Sequence, residues 1–85
     1  MMPIHEMQAL LDKGFPGATI NLDNPQGDGL HYQLLVVSDL FQGKSLVEQH
    51  QMVYRALGDA MSGAVHALAL KTYTPAQWAK ARSRA

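Results

Sequence analysis

The length, composition and charge of the chain exclude several classes of protein. It has 85 residues, of which 47% are hydrophobic and none is cysteine, which predicts one small globular domain without disulfides rather than a disordered segment. Seven basic residues balance seven acidic ones, whereas a domain that binds nucleic acid strongly is typically basic overall.

The sequence shows no targeting or membrane segment. Residues 1–6 lack a basic region followed by an apolar stretch, which a secretory signal requires. The longest uninterrupted apolar run covers residues 34–37, far short of the roughly 20 residues of a membrane span. We therefore expect a complete cytoplasmic chain that does not contact a membrane.

The first half of the chain predicts one helix and two strands. Apolar residues spaced three and four apart predict an amphipathic helix over residues 3–13, which Gly14 ends. The strand candidates are residues 18–22 and 30–38, and the turn-forming residues 23–29 between them predict a hairpin. The middle of the second strand is apolar on both faces, which predicts a central and covered strand.

A long helix follows. Ser45 with Glu48 three residues later is a capping box, and it predicts a helix over residues 45–61. Gly58 is a weak point in this helix and indicates a bend or break.

The last third of the chain predicts a strand and a terminal helix. Residues 64–73 are typical of an aliphatic strand, and Thr74, a proline and Gln77 give a second helix-start signal. Trp78 is expected to anchor this helix to the sheet. The order α-β-β-α-β-α predicts an α+β fold with a small mixed sheet, in which the second strand is antiparallel to the first and parallel to the third.

This topology places two histidines near one edge of the sheet. His31 lies near the start of the second strand and His66 near the start of the third, and parallel neighbours begin at the same edge. Without cysteine, imidazole and carboxylate are the ligands available for a transition metal. His31 and His66 are therefore candidate ligands of a site that a second chain completes. A packed, hydrogen-bonded core histidine is the alternative for His66.

Recognisable enzyme motifs are absent from the sequence. It contains no nucleophile elbow, phosphate loop or dinucleotide fingerprint. His50 and Glu48 form an isolated pair without a third partner, and His50 is expected to be a partly exposed helix residue. We therefore expect a protein that is not an enzyme.

Four segments together resemble the BolA family. They are residues 40–45 (LFQGKS), His50 with Val53 and Tyr54, residues 65–67 (VHA) and residues 71–78 (KTYTPAQW). Their order and spacing match the family over residues 29–78. The resemblance implies a single BolA-like domain over residues 1–85, with a class II KH-like α-β-β-α-α-β topology, a C-terminal helix and a short extra helix near Gly58.

The resemblance also implies a function. BolA-like proteins pair with monothiol glutaredoxins and share a bridging 2Fe–2S cluster with them, with glutathione as co-ligand, in iron–sulfur trafficking or iron sensing; the isolated chain holds no cofactor. The family's histidine ligand falls on His66. A second family ligand, a cysteine or histidine between the first two strands, is missing from residues 23–29, and His31 is the nearest substitute. The residues expected to shape the adjoining partner surface are Phe41, Gly43 and Lys44.

DNA binding is the alternative that the resemblance implies, because members of the family are described as transcriptional regulators. A KH domain clamps the nucleic-acid backbone with a Gly-x-x-Gly loop, whereas residues 41–44 hold a single glycine. The near-zero net charge predicts weak, salt-sensitive affinity. No acidic residue follows Met61, and the candidate DNA contacts are the basic residues there: Lys71, Lys80 and Arg82, with Arg84 in the same tail.

Overall fold

The computed structural model describes residues 4–25, 27, 31–58 and 67–83, which form three helices and one sheet. The elements are helix α1 (Ile4–Gly14), strands β1 (Thr19–Asp23) and β2 (His31–Val37), a 3-10 turn (Asp39–Phe41), helix α2 (Leu46–Leu57), strand β3 (Ala67–Tyr73) and helix α3 (Pro75–Arg82). The expected α+β class is therefore confirmed. His66, Met61 and the short helix expected beyond Gly58 lie outside the described residues.

Side-chain caps start α2 and α3 where the sequence predicts them. The Ser45 amide donates to Glu48 Oε1 at 2.8 Å, and the Glu48 amide donates to Ser45 Oγ at 3.1 Å. Two hydrogen bonds lower the pKa of the Glu48 carboxyl, first the one from the Ser45 amide and then one from the Ser45 side chain. Thr74 and Gln77 make the same reciprocal pair at 3.0 and 3.2 Å. Each pair satisfies amides that the first helical turn leaves without partners.

The sheet has the predicted strand order and directions. The order is β1-β2-β3, with β2 antiparallel to β1 and parallel to β3. In this register Asp23 lies opposite Gln33, and His31 lies opposite Ala67. β2 is therefore the central strand, as predicted.

The core lies on one face of the sheet, under α1 and α2. Its buried residues come from both layers: Met7, Leu11, Phe15, Tyr32, Leu34, Val36, Phe41, Val53 and Leu57. The two helices approach closely at Gly14, where an added Cβ atom would lie 2.9 Å from the Ala56 Cβ. Burial of these side chains is the main stabilising contribution in a chain without disulfides.

The other face of the sheet is largely uncovered, and we call it the open face. Because side chains alternate along a strand, the residues not facing the core share it: Asn21, Asp23, His31, Gln33, Leu35, Ala69 and Lys71. Gln33 is exposed and Leu35 is half-buried. The prediction that the apolar middle of β2 is covered on both faces is therefore wrong at Leu35. It holds at Val37, which is 6% exposed and shares a groove with Trp78 of α3.

The described helices are too short or too polar to cross a lipid bilayer.

Candidate partner-binding site

His31 stands at the beginning of β2, on the open face of the sheet. It is half-buried, and its Cα partner in β3 is Ala67. His66 precedes Ala67 in the sequence but lies outside the described residues, so its predicted ligand position remains a prediction. The predicted parallel pairing of the two strands is confirmed, and it brings His31 beside the first described residue of β3.

The turn-rich segment after β1 reaches the same edge of the sheet. β1 ends at Asp23, which pairs with Gln33 two residues into β2 from His31. The Asn24 amide donates to Asp23 Oδ1 at 2.9 Å, and the Gly27 amide donates to the Asn24 carbonyl at 3.0 Å. The pairing of Asp23 with Gln33 sets this carboxylate near the start of β2.

The turn of residues 41–44 lies at the opposite end of the sheet. It follows Val37, about 20 Å along β2 from His31. Phe41 is fully buried, with its ring centroid 5.3 Å from that of Phe15, so it supports the turn from inside and offers no side chain to a partner. Gly43 and Lys44 are exposed, and Gly43 has a φ of 75°, which glycine adopts without strain. The structure therefore does not bring Phe41, Gly43 and Lys44 next to His31, which corrects the expectation of one adjoining surface.

A buried side-chain bridge fixes this turn to the sheet. Gln49 Nε2 donates to the Lys44 carbonyl at 3.0 Å, and Thr72 Oγ1 donates to Gln49 Oε1 at 2.7 Å. Gln49 and Thr72 are only 4% and 6% exposed. Sequence reasoning missed this bridge. The available signal was Gln49, a polar residue four positions before core-facing Val53 on the same helix, because a buried amide is normally hydrogen-bonded.

The three candidate DNA-contacting residues lie on separate surfaces. Lys71 is on the open face beside Leu35. Lys80 lines a groove of about 430 Å³ together with Lys44, at the start of α2. The Arg82 guanidinium lies 6.0 Å from the centre of the Trp78 ring, in another groove. The structure thus pairs Lys80 with Lys44 and leaves Lys71 apart.

The possible metal ligands among the described residues are too few to form a complete site, so they suit a site that is shared with other ligands. No three His, Asp or Glu side chains in the described part of the chain come together as a metal-binding group. Imidazole is an established ligand of 2Fe–2S clusters, and His31 supplies one at an accessible edge. Such a cluster would need His66 or a second chain for its remaining ligands.

Comparison with known proteins decides the family. The family model described as "BolA-like protein" matches residues 16–77 of the chain. This chain belongs to the BolA-like family. The predicted family membership is therefore confirmed over most of the sequence.

Two curated BolA relatives and one solved structure illustrate the match. BolA-like protein 1 of Mus musculus is 44% identical over 54 residues, covering 64% of this chain and 39% of the relative. The DNA-binding transcriptional regulator BolA of Escherichia coli (strain K12) is 43% identical over 54 residues, covering 64% of this chain and 51% of the relative. The solution structure of BolA1 from Mus musculus superposes with a TM-score of 0.82 at 32% identity, covering 96% of this chain and 73% of that chain. This chain thus spans about two fifths to one half of the length of those two curated BolA relatives.

Proposed function

We propose that this BolA-like chain is a non-enzymatic partner of a monothiol glutaredoxin and shares a bridging 2Fe–2S cluster with it. The observation that supports the proposal is the parallel register that sets His31 opposite Ala67, one peptide bond from His66. His31 begins β2, and in the sequence His66 immediately precedes Ala67, the first described residue of β3. The glutaredoxin and its glutathione would supply the other ligands.

The role of the chain's own residues follows from imidazole chemistry. A neutral imidazole donates a lone pair from one ring nitrogen to a metal, while the other nitrogen can hold a hydrogen bond that orients the ring. His66 would bind iron. His31 would either bind iron as well or support the ligand beside it. Nitrogen ligation raises the reduction potential of a 2Fe–2S cluster relative to thiolate ligation, which suits a cluster that is passed on or sensed.

Reconstitution with a glutaredoxin tests this proposal. The chain is mixed with a purified monothiol glutaredoxin, glutathione, iron and sulfide, and the visible absorption and circular dichroism spectra are compared with those of the glutaredoxin homodimer. We expect a different spectrum and a mixed dimer. His66→Ala should abolish the difference, and His31→Ala should weaken cluster retention by about tenfold.

His50→Gln is the matched control, because His50 lies on α2 in the helix layer with its ring centroid 6.5 Å from that of Tyr54. This variant should give the wild-type spectrum. A mixture that shows only the homodimer spectrum would overturn the proposed function. An unchanged spectrum with His66→Ala would overturn the ligand assignment alone.

DNA binding is the second candidate function, and the groove shared by Lys44 and Lys80 supports it. Tyr73 and Gln77 also line this groove, and it contains no acidic side chain. The turn that carries Lys44 is held in place by Gln49. The Escherichia coli relative is itself named a DNA-binding regulator. The two lysines would lie close enough together to contact the phosphate backbone of DNA at this end of the sheet.

Salt-dependent binding to duplex DNA tests this candidate. Lys44→Ala and Lys80→Ala should each reduce the slope of log K against log salt by about 0.9, the value for one phosphate contact. Lys71→Ala, on the open face, should leave the slope unchanged. Equal effects of all three substitutions, or no binding at micromolar protein in about 0.15 M salt, would count against this groove.

A further inference from the structure

Helix α3 rests on the sheet with little buried surface. None of its residues is buried, and its one aromatic side chain, Trp78, contacts Tyr73 at a ring-centroid distance of 5.3 Å. Grooves of about 500 and 430 Å³ run along opposite faces of the helix, the first lined by Trp78 and Arg82 and the second by Gln77 and Lys80. Elements with so few buried contacts open at low free energy.

The groove with Lys80 joins this helix to a fixed part of the fold. Lys44 lines the same groove from the turn before α2. Gln49 holds that turn to Thr72 of β3 through hydrogen bonds of 3.0 and 2.7 Å. One lysine of the groove therefore stands on a buried support, and the other stands on a helix that packs only loosely.

The charges of this groove oppose docking of α3 until an anion enters it. None of the described residues that line the groove with Lys44 and Lys80 is acidic. Glu48, the carboxylate nearest to Lys44 in the sequence, accepts the Ser45 amide at 2.8 Å and lines a different groove. Two ammonium groups in one groove repel each other, whereas an anion that contacts both is attracted by both.

We propose that α3 is a strap whose docking on the sheet is strengthened by the phosphate groups that the Lys44–Lys80 groove binds. This inference rests on the second candidate function, DNA binding, and adds the regulation of that groove. A phosphate contacts both lysines while α3 is docked. Opening of α3 withdraws Lys80 and leaves the phosphate with Lys44.

Docking of α3 and binding of DNA are then coupled in both directions. A ligand shifts a conformational equilibrium by the ratio of its affinities for the two states, and the coupling factor is the same whichever event comes first. Withdrawal of one lysine–phosphate contact should weaken binding by about fivefold, the lower end of typical coupling factors. Bound DNA should therefore make the open state of α3 about fivefold rarer.

Amide hydrogen exchange followed by NMR tests the strap. The Trp78 amide donates to the Thr74 carbonyl at 2.9 Å, and the Ser83 amide donates to the Ala79 carbonyl at 3.2 Å, so both amides exchange when α3 opens. A short DNA duplex at a saturating concentration, in about 50 mM salt, should slow both exchange rates about fivefold.

Two lysine variants separate coupling from simple shielding of α3 by the DNA. Lys80→Ala removes the contact made by the strap, so DNA added to saturation should leave its exchange rates unchanged. Lys71→Ala removes the same charge from the open face and should show the wild-type slowing. Fluorescence anisotropy of labelled duplex confirms saturation, and far-UV circular dichroism checks that each variant retains the fold.

The outcomes distinguish the strap from DNA binding itself. Equal slowing in wild type and Lys80→Ala would show that DNA only covers the helix, and unchanged rates in saturated wild type would show that binding and docking are independent. Either result would overturn the strap while DNA binding stands. If wild type does not bind the duplex, the second candidate function and the strap both fall, and the proposed glutaredoxin partnership is unaffected.

Discussion

At the scale of single residues, the most informative side chain is the buried Gln49. It bridges the Lys44 carbonyl and the Thr72 hydroxyl, so one amide joins the start of α2 to the end of β3. This bridge fixes the relative positions of α2 and β3. It also affects stability, because a buried polar group that loses its hydrogen-bond partner destabilises the fold.

Gln49→Leu should destabilise the fold by about 1–3 kcal/mol, because it leaves the buried Thr72 hydroxyl without its acceptor. Thr72→Val in the same chain should recover most of this loss, since removing both partners leaves no unsatisfied group at that contact. Urea unfolding of wild type, the single variant and the double variant measures both effects. Equal stabilities of the single and double variants would show that the loss does not come from the unsatisfied Thr72 hydroxyl.

At the scale of elements, the sequence predicts a helix start correctly where neighbouring residues alone determine it. The caps at Ser45 and Thr74 were predictable because an oxygen-bearing side chain three residues before Glu or Gln satisfies free amides whatever lies around it. The 3-10 turn at Asp39–Phe41 was not predicted, although Ser38 caps it by accepting the Leu40 amide at 3.1 Å. So short a turn carries no periodic pattern for the sequence to reveal.

The covering of β2 could not be predicted in the same way. An apolar stretch suits a strand buried on both faces, but whether a helix covers the second face depends on where α3 packs. α3 covers only the end near Val37 and leaves Leu35 half-buried. The prediction that Phe41 contributes to a partner surface was wrong for a related reason. Phe41 is close in sequence to the exposed Gly43 and Lys44, but its ring turns into the core.

At the scale of the whole molecule, the parallel pairing of β2 and β3 gives the sheet two distinct ends. His31 and the start of β3 lie at one end, and the turn with Lys44 and the groove with Lys80 lie at the other. The sequence predicted the first juxtaposition from strand direction alone. It could not predict the second, because the approach of Lys80 to Lys44 depends on where α3 packs.

The same architecture leaves α3 outside the buried core. None of its residues is buried, and the Trp78 ring is attached to the sheet through Tyr73, at a centroid distance of 5.3 Å. Elements with few buried contacts open at lower free energy than the core. Trp78 is the only tryptophan, so its fluorescence reports on α3 while far-UV circular dichroism reports on all the helices.

We therefore expect the fluorescence transition in urea to precede the circular dichroism transition by roughly 0.5 M. Thr74→Ala removes the cap of α3, a loss of about 1 kcal/mol, and should widen this gap. Ser45→Ala removes the equivalent cap from α2, which contributes Val53 and Leu57 to the core, and should move both transitions together. Coincident transitions in all three proteins would instead place α3 within the same cooperative unit as the core, held there by the Tyr73–Trp78 contact.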